Sequence, residues 1–155
     1  SQLDRFMVSL SIGYPTLENQ MKIIRAQRYS NPLLDLKAVT DPHNIIEVQN
    51  YLTSVKISDP VLSYAISLCE ESRRHSMVDL GISPRGVAAL VRMSKADAVL
   101  KERNYVIPED VQNVFCDVCA HRLVLRPQAR VEGIDAREIL TDIMDTVKPP
   151  AASER

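Results

Sequence analysis

The composition of this chain predicts a globular protein with an aliphatic core. Its 155 residues are 45% hydrophobic, enough for one domain, with no tryptophan and two phenylalanines. With 19 basic and 20 acidic side chains the net charge is −1, so charge alone draws the chain neither to nucleic acid nor to an anionic membrane. No apolar run approaches the length of a membrane-spanning helix, and no signal peptide is recognisable. Three cysteines without a disulfide-framework spacing favour a reducing compartment, which we expect to be the cytoplasm.

The first residues predict a strand that belongs to a larger sheet. The segment Leu3-Asp4-Arg5-Phe6 precedes an apolar stretch, residues 7–12, which ends at the turn Gly13-Tyr14-Pro15. Because the sequence begins with Ser1 rather than methionine, we expect it to be part of a longer protein and the strand to lack its partners.

The rest of the chain predicts a helical bundle, because apolar residues recur at helical spacing and Ser, Asp and Pro mark the starts of the segments. The predicted helices cover residues 16–28, 41–55, 58–74 and 83–103, a fifth helix from Pro108 through Val118, and a last helix after the capping box Asp135-Ala136-Arg137-Glu138. Residues 75–82 are predicted as a loop. Two β-prone segments, residues 55–57 and 105–107, could pair with each other.

Two of these helices carry apolar lines that we expect to face the core. The predicted buried residues are Leu62, Ala65, Ile66 and Cys69 in the third helix and Ala89, Met93, Ala96 and Leu100 in the fourth.

The strongest sign of a functional site is the start of the fourth helix. Ser83 is a good N-cap and Pro84 suits the first helical position, so Arg85 is expected beside unpaired backbone amides. Those amides, the helix dipole and a guanidinium fork together favour a phosphate group. The alternative is a surface arginine in an ordinary first turn, where it opposes the dipole.

Six short motifs occur here in the order in which MoxR-type AAA+ ATPases have them, and most of the chain resembles that family. The motifs are Leu3-Asp4-Arg5-Phe6, Gly13-Tyr14-Pro15, Ser72-Arg73-Arg74-His75, Gly81-Ile82-Ser83-Pro84-Arg85, Tyr105-Val106-Ile107-Pro108-Glu109-Asp110-Val111 and Ala120-His121-Arg122-Leu123. The resemblance implies a mainly α-helical fold, the helical lid of an ATPase. It divides the chain into a remnant of the ATPase core at residues 1–15, the lid at residues 16–148 and a disordered tail at residues 149–155.

The same resemblance implies a function for the parent protein. It would be a cytoplasmic ATPase that binds ATP and Mg²⁺ and forms a homo-oligomeric ring, expected to be a hexamer. Its partners would be its own ATPase core, neighbouring subunits and client proteins that it remodels, assembles or activates. Proteins with von Willebrand factor A domains are expected among these clients. Neither nucleic acid nor membrane insertion is expected.

The resemblance also implies roles for individual residues. Arg85 lies at the sensor-2 position, which contacts the γ-phosphate of ATP, with Ser83 and Pro84 beside it at the nucleotide. Arg5 lies at the arginine-finger position, where it would reach the nucleotide of the neighbouring subunit. A salt bridge with Asp4 is the ordinary alternative for Arg5. For the basic cluster Arg73-Arg74-His75, a solvated helix end is the interpretation that we favour.

Missing motifs limit what this chain can do alone. It has no Gly-x-x-x-x-Gly-Lys-Ser/Thr loop and no acidic strand end for Mg²⁺, so the chain by itself is predicted to hold no cofactor and not to hydrolyse ATP. A free-standing helical interaction module is the alternative function, whereas a helix-turn-helix DNA binder is disfavoured by the near-zero charge.

The cysteines are interpreted as packing residues. Cys116 and Cys119 lie one helical turn apart near His121, but no second pair of ligands completes a zinc site, and no metal is predicted.

Overall fold

The computed structural model describes residues 2–29 and 31–151, apart from the side chains of residues 28, 29 and 32. These residues form seven α-helices and one short antiparallel ribbon, which confirms the predicted mainly helical fold. The helices are α1 (Leu17–Tyr29), α2 (Pro42–Tyr51), α3 (Asp59–Arg74), α4 (Pro84–Leu100), α5 (Pro108–Cys119), α6 (Pro127–Glu132) and α7 (Ala136–Thr146), and the strands are β1 (Val78–Leu80) and β2 (Val124–Leu125). Residues 152–155 of the predicted tail lie outside the described residues.

Contacts between residues divide the chain into two units. One is Leu10–Gln49, and the other combines Ser1–Ser9 with Asn50–Arg155. This grouping differs from the predicted segments 1–15, 16–148 and 149–155, which stay a prediction.

In the unit Leu10–Gln49 every residue whose burial is described is exposed to solvent. Large apolar side chains are among them, including Leu17 and Ile24 of α1. The elements are therefore stabilised locally, as at the start of α2, where the Asp41 carboxylate accepts a hydrogen bond from the Asn44 amide at 3.0 Å.

The second unit has a continuous apolar core between α3, α4, α5 and α7. Leu68, Leu90, Phe115 and Leu140, one from each helix, are completely buried. As predicted, α7 begins at a capping box, in which the Asp135 carboxylate accepts from two backbone amides.

Two of the predicted buried lines are wrong by a small rotation of the helix. In α3 the buried residues are Val61, Tyr64, Ala65, Leu68, Cys69 and Ser72. Ile66 is instead 39% exposed. In α4 the buried residues are Gly86, Leu90, Ser94 and Ala98, one position away from the predicted line, and Leu100 is 83% exposed. Apart from Leu90, small residues form the buried face of α4, and hydrophobicity alone does not reveal them.

The predicted strand at residues 7–12 is absent, because no neighbouring strand pairs with it among the described residues. Residues 2–5 form a turn of 3₁₀-helix, and residues 6–16 have no regular secondary structure. The Ser9 amide donates to the carbonyl of Asp117 in α5 at 2.9 Å. An apolar β-prone segment without a partner strand cannot complete a ladder.

The predicted loop at residues 75–82 contains strand β1, which pairs antiparallel with β2 and was not foreseen. Each strand is too short to show an alternating pattern. The pairing predicted between residues 55–57 and 105–107 is confirmed. Lys56 and Tyr105 form a parallel bridge, with the Lys56 amide donating to the Asn104 carbonyl at 3.0 Å.

A buried ion cluster ends α4 at Leu100, three residues earlier than predicted. Glu102 has a left-handed backbone (φ 59°), which stops the helix. Asp110 in α5, completely buried, pairs with Arg103 through both carboxylate oxygens and lies 3.4 Å from Lys101. Burial alone would raise the pKa of Asp110, but the hydrogen bonds from Arg103 and the Ile107 amide outweigh it, and the pKa is lowered.

Candidate functional site

The first turn of α4 forms as the sequence predicts. Ser83 has an extended backbone, its hydroxyl accepts from the Gly86 amide at 3.2 Å, and Pro84 occupies the first helical position. The next side chain, Arg85, is exposed and makes no hydrogen bond or ion pair with the part of the chain that the structure describes. A guanidinium without a protein partner is available to an anion from outside the chain.

Helix α3 fixes the loop that leads into this turn. The Ser72 hydroxyl accepts from the Ile82 amide at 3.0 Å, and Arg73 Nε donates to the Ile82 carbonyl at 2.8 Å. A Cβ atom on Gly81 would lie 2.8 Å from backbone atoms of Arg73, so only glycine permits this approach. Arg73 and Arg74 are exposed, as a solvated helix end predicts, and Arg73 in addition fixes the loop through its bond to Ile82.

The N-terminal segment places a carboxylate at the same helical turn. The Ser83 hydroxyl lies 3.1 Å and 3.3 Å from the two carboxylate oxygens of Asp4 and donates to that group. A negative charge at the first turn of α4 is favourable because the helix dipole is positive there. Asp4 thus compensates in part for Arg85, which carries the opposite charge beside the same helix end.

Arg122, two residues before β2, is the most heavily bonded side chain around this turn. Its side chain is 2% exposed, and its Nε lies 3.2 Å from an Asp4 carboxylate oxygen as an ion pair. Its two terminal nitrogens donate to four backbone carbonyls, those of Asp4 (3.2 Å), Phe6 (2.7 Å), Met7 (3.3 Å) and Val118. These bonds join α5 to the N-terminal segment, which Asp4 in turn connects to Ser83 at the start of α4.

A cavity of about 590 Å³ opens between these elements. Its size lies within the usual range of small-molecule sites, roughly 300–1,000 Å³. Apolar and charged side chains share its lining, among them Leu80, Ile82, Leu123, Asp4, Arg73 and Arg122. Such a mixed lining suits a ligand with both apolar and polar parts.

The structure brings together only part of the predicted site. Ser83 and Pro84 line the cavity, whereas Arg85 and Arg5 do not. Arg5 is exposed, and its guanidinium carbon lies 5.3 Å from the centre of the Phe6 ring, a cation–π contact. The alternative partner of Arg5, Asp4, pairs with Arg122 instead.

The cysteines belong to the core, as predicted. Cys69 and Cys119 are completely buried and Cys116 is partly buried. A hydrogen bond with Cys69, together with burial, raises the pKa of Cys119, and burial raises the pKa of Cys116. Both groups therefore stay protonated thiols, which are poor metal ligands.

Comparison with known proteins assigns this architecture to a family. Residues 70–143 match the family model of the AAA lid domain. The chain is 37% identical over 150 residues to the uncharacterized protein YeaC of Bacillus subtilis, a match that covers 97% of this chain and 47% of YeaC. It is 26% identical over 159 residues to the chaperone MoxR1 of Mycobacterium tuberculosis, covering 97% of this chain and 42% of MoxR1. Residues 70–143 are an AAA lid domain of the MoxR type.

A solved structure agrees with this assignment. A protein of Cytophaga hutchinsonii that is assigned as an ATPase superposes with a TM-score of 0.86 and 28% sequence identity. That match covers 97% of this chain and 48% of the other protein. The chain thus spans less than half the length of the relatives that it matches here. In the described part of the chain, no helix is long and apolar enough to cross a membrane.

Sequence reasoning missed two residues of this site, Asp4 and Arg122. Both lie inside motifs that carry the family resemblance, next to Arg5 and His121 respectively. One signal in the sequence could have indicated Arg122. It lies between α5 and the apolar residues 123–125, where an arginine is expected to be buried and therefore to need hydrogen-bond partners. Its partners lie more than a hundred residues away in the sequence.

Proposed function

We propose that this chain is the lid of a ring-forming MoxR-type ATPase that uses ATP hydrolysis to remodel or activate client proteins. The observation that carries the proposal is Arg85, an exposed guanidinium without a partner among the described residues, on the first turn of a helix inside the AAA lid match. The rest of the first turn supports the same role, since its cap, its loop and its glycine contacts hold it in one position.

The proposed role of Arg85 is to sense the γ-phosphate of ATP that the ATPase core binds. A preorganised guanidinium can stabilise negative charge that grows or shifts during phosphoryl transfer. Ser83 and Pro84, which line the cavity, would lie beside the rest of the nucleotide. Arg5 is proposed to act on the nucleotide of the neighbouring subunit in a homo-oligomeric ring.

The catalytic parts that cradle the phosphates are proposed to lie outside this chain. The sequence has no Walker A loop, and no group of three or more His, Cys, Asp or Glu side chains in the described residues could hold a metal ion. The Mg²⁺ that accompanies ATP would therefore be bound by the core, where it neutralises phosphate charge.

The client side of the proposal rests on a relative. The name of MoxR1 describes it as a chaperone, which supports remodelling of proteins as the outcome of hydrolysis. Clients with von Willebrand factor A domains and a cytoplasmic location belong to the proposal on the resemblance alone.

The test is Arg85→Ala in the longer protein that contains this chain. We expect ATP hydrolysis to fall about ten- to a thousandfold, because one preorganised charge contact is worth roughly 1.5–4 kcal/mol in the transition state. ADP affinity should change little, since ADP lacks the γ-phosphate. The melting temperature should also hold, because Ser83 still caps the helix.

Arg92→Ala is the matched control, since Arg92 is also exposed on α4 but lies two turns further along. Hydrolysis should be unaffected there. Hydrolysis that survives Arg85→Ala would contradict the sensor role and favour an interaction module.

A further inference from the structure

The Arg122 guanidinium makes most of the hydrogen bonds to the backbone around Arg5, and His121 Nε2 adds one contact, 3.1 Å from the Phe6 carbonyl. Nη2 of Arg122 donates to the carbonyls of Asp4 and Phe6, the residues immediately before and after Arg5, at 3.2 Å and 2.7 Å. Nη1 donates to the carbonyl of Met7 at 3.3 Å. A planar fork with fixed donor directions therefore fixes the path of the chain on both sides of Arg5.

Apolar burial contributes little to the attachment of this segment. Residues 2–7 contain no buried side chain, and Val8 is the first residue that packs against the core. The segment is thus attached by directed polar contacts rather than by burial of apolar surface. Removal of one side chain should then release it without opening the core.

The same guanidinium connects this segment to α4. Asp4 pairs with Arg122 and accepts from the Ser83 hydroxyl, which caps the helix that carries Arg85. Gly86 leaves room for the crossing side chain, because a Cβ atom there would lie 3.0 Å from Cδ of Arg122. Arg5 and Arg85 are consequently fixed to one polar cluster, which consists of Asp4, Ser83 and Arg122.

We propose that Arg122 is a positioning residue for Arg5, which it holds in the orientation that reaches the neighbouring subunit. The inference rests on the proposed function, because it assumes that Arg5 acts in the nucleotide site of the next subunit. The inference also says which nucleotide site is affected. Loss of Arg122 should impair hydrolysis in the site of the neighbouring subunit, whereas the subunit's own Arg85 stays on a capped helix.

The test mixes variant subunits of the longer protein in equal amounts. Arg5→Ala and Arg85→Ala should each lose most of their hydrolysis alone but recover part of it together, because about a quarter of the interfaces in a head-to-tail ring then join an intact nucleotide site to an intact finger. Failure of this pair would contradict the proposed roles of both arginines, and the inference would fall with them.

Arg122→Gln alone should lower hydrolysis about ten- to a hundredfold, the cost expected of a misplaced catalytic group. Mixed with Arg85→Ala, it should restore activity as Arg5→Ala does. Mixed with Arg5→Ala, it should restore none. The reverse pattern, or restoration with neither partner, would overturn the inference, as would full activity of Arg122→Gln alone.

Two further variants separate positioning from folding. Arg126→Gln removes a guanidinium that donates to the Val78 carbonyl at 3.1 Å, next to the same ribbon but away from Arg5, and should stay active. Asp4→Asn keeps the side-chain shape while weakening the ion pair, and it should show the same mixing pattern as Arg122→Gln with a smaller loss. Hydrogen exchange adds a direct measurement: the Ser9 amide should exchange faster in Arg122→Gln, and the α5 amides should not.

Discussion

The two ends of helix α4 are each held by a carboxylate and an arginine, but the two clusters are built differently. At the C-terminal end, Asp110 is completely buried between Arg103 and Lys101. At the N-terminal end, the Asp4 side chain is 26% exposed and lies between Arg122 and the Ser83 hydroxyl. One cluster lies inside the fold, and the other lies at the rim of the cavity.

The sequence distances differ even more than the burial. Asp110 is seven residues from Arg103 and nine from Lys101, whereas Asp4 is 79 residues from Ser83 and 118 from Arg122. The local cluster closes the turn between two helices and contributes to stability. The long-range cluster joins the N-terminal segment, which buries little apolar surface, to the cap of α4, so its loss should change function more than stability.

The largest expected effect comes from breaking the local cluster with Asp110→Ala. Removal of one partner leaves Arg103 and Lys101 without their shared counter-ion, and it deletes the acceptor for the Ile107 amide. Breaking a fully buried pair costs about 3–5 kcal/mol of unfolding free energy, and because the Arg103 and Lys101 side chains left behind are 19% and 43% exposed, we expect a smaller loss of about 2–3 kcal/mol. Urea denaturation followed by circular dichroism measures it. The exposed pair Lys22–Glu18 supplies the control, since Glu18→Ala should change stability by less than about 0.5 kcal/mol.

The same contrast explains what the sequence could predict. The segment that contains Asp110 begins a helix at Pro108, and its local spacing was sufficient to place α5 correctly. Pro84, Ser83 and the capping box of α7 were likewise placed from neighbours within a few residues. These features depend on short-range geometry, which a sequence displays directly.

The long-range features were not predictable in the same way. Nothing near Arg122 indicates that its partners are the carbonyls of residues 4, 6 and 7, because backbone acceptors leave no sequence signature. The missing strand at residues 7–12 has the same cause, since strand formation depends on a partner that the local pattern does not reveal. The site was therefore predicted at Ser83 and Pro84 but not at Asp4.

A second prediction concerns acid. The pKa of Asp110 is lowered in the folded chain, so the unfolded chain binds more protons at this group as the pH falls. The stability that Asp110 contributes is fully present above its unfolded pKa, about 4, and is lost as the pH falls through the lower folded value. Urea midpoints measured from pH 6 down to pH 3 should thus fall less steeply for Asp110→Asn than for the wild type. Parallel slopes would contradict the lowered pKa.

The smallest expected effect comes from Ser83→Ala at the other end of α4. This change removes the acceptor of the Gly86 amide and the donor to Asp4, and of the two partners the Asp4 carboxylate is 26% exposed and can turn to water. Loss of an N-cap costs about 0.5–2 kcal/mol of unfolding free energy, below the loss expected for Asp110→Ala.

A double-mutant cycle with Asp4→Asn isolates the Ser83–Asp4 contact, and its coupling energy should be under about 1 kcal/mol. The matching cycle between Arg103→Ala and Asp110→Ala should give a larger coupling, because that pair is desolvated. Ser83→Thr, which keeps a hydroxyl, should recover most of the cap. Equal coupling energies at the two ends would remove the distinction between a cluster that stabilises the fold and one that positions a site.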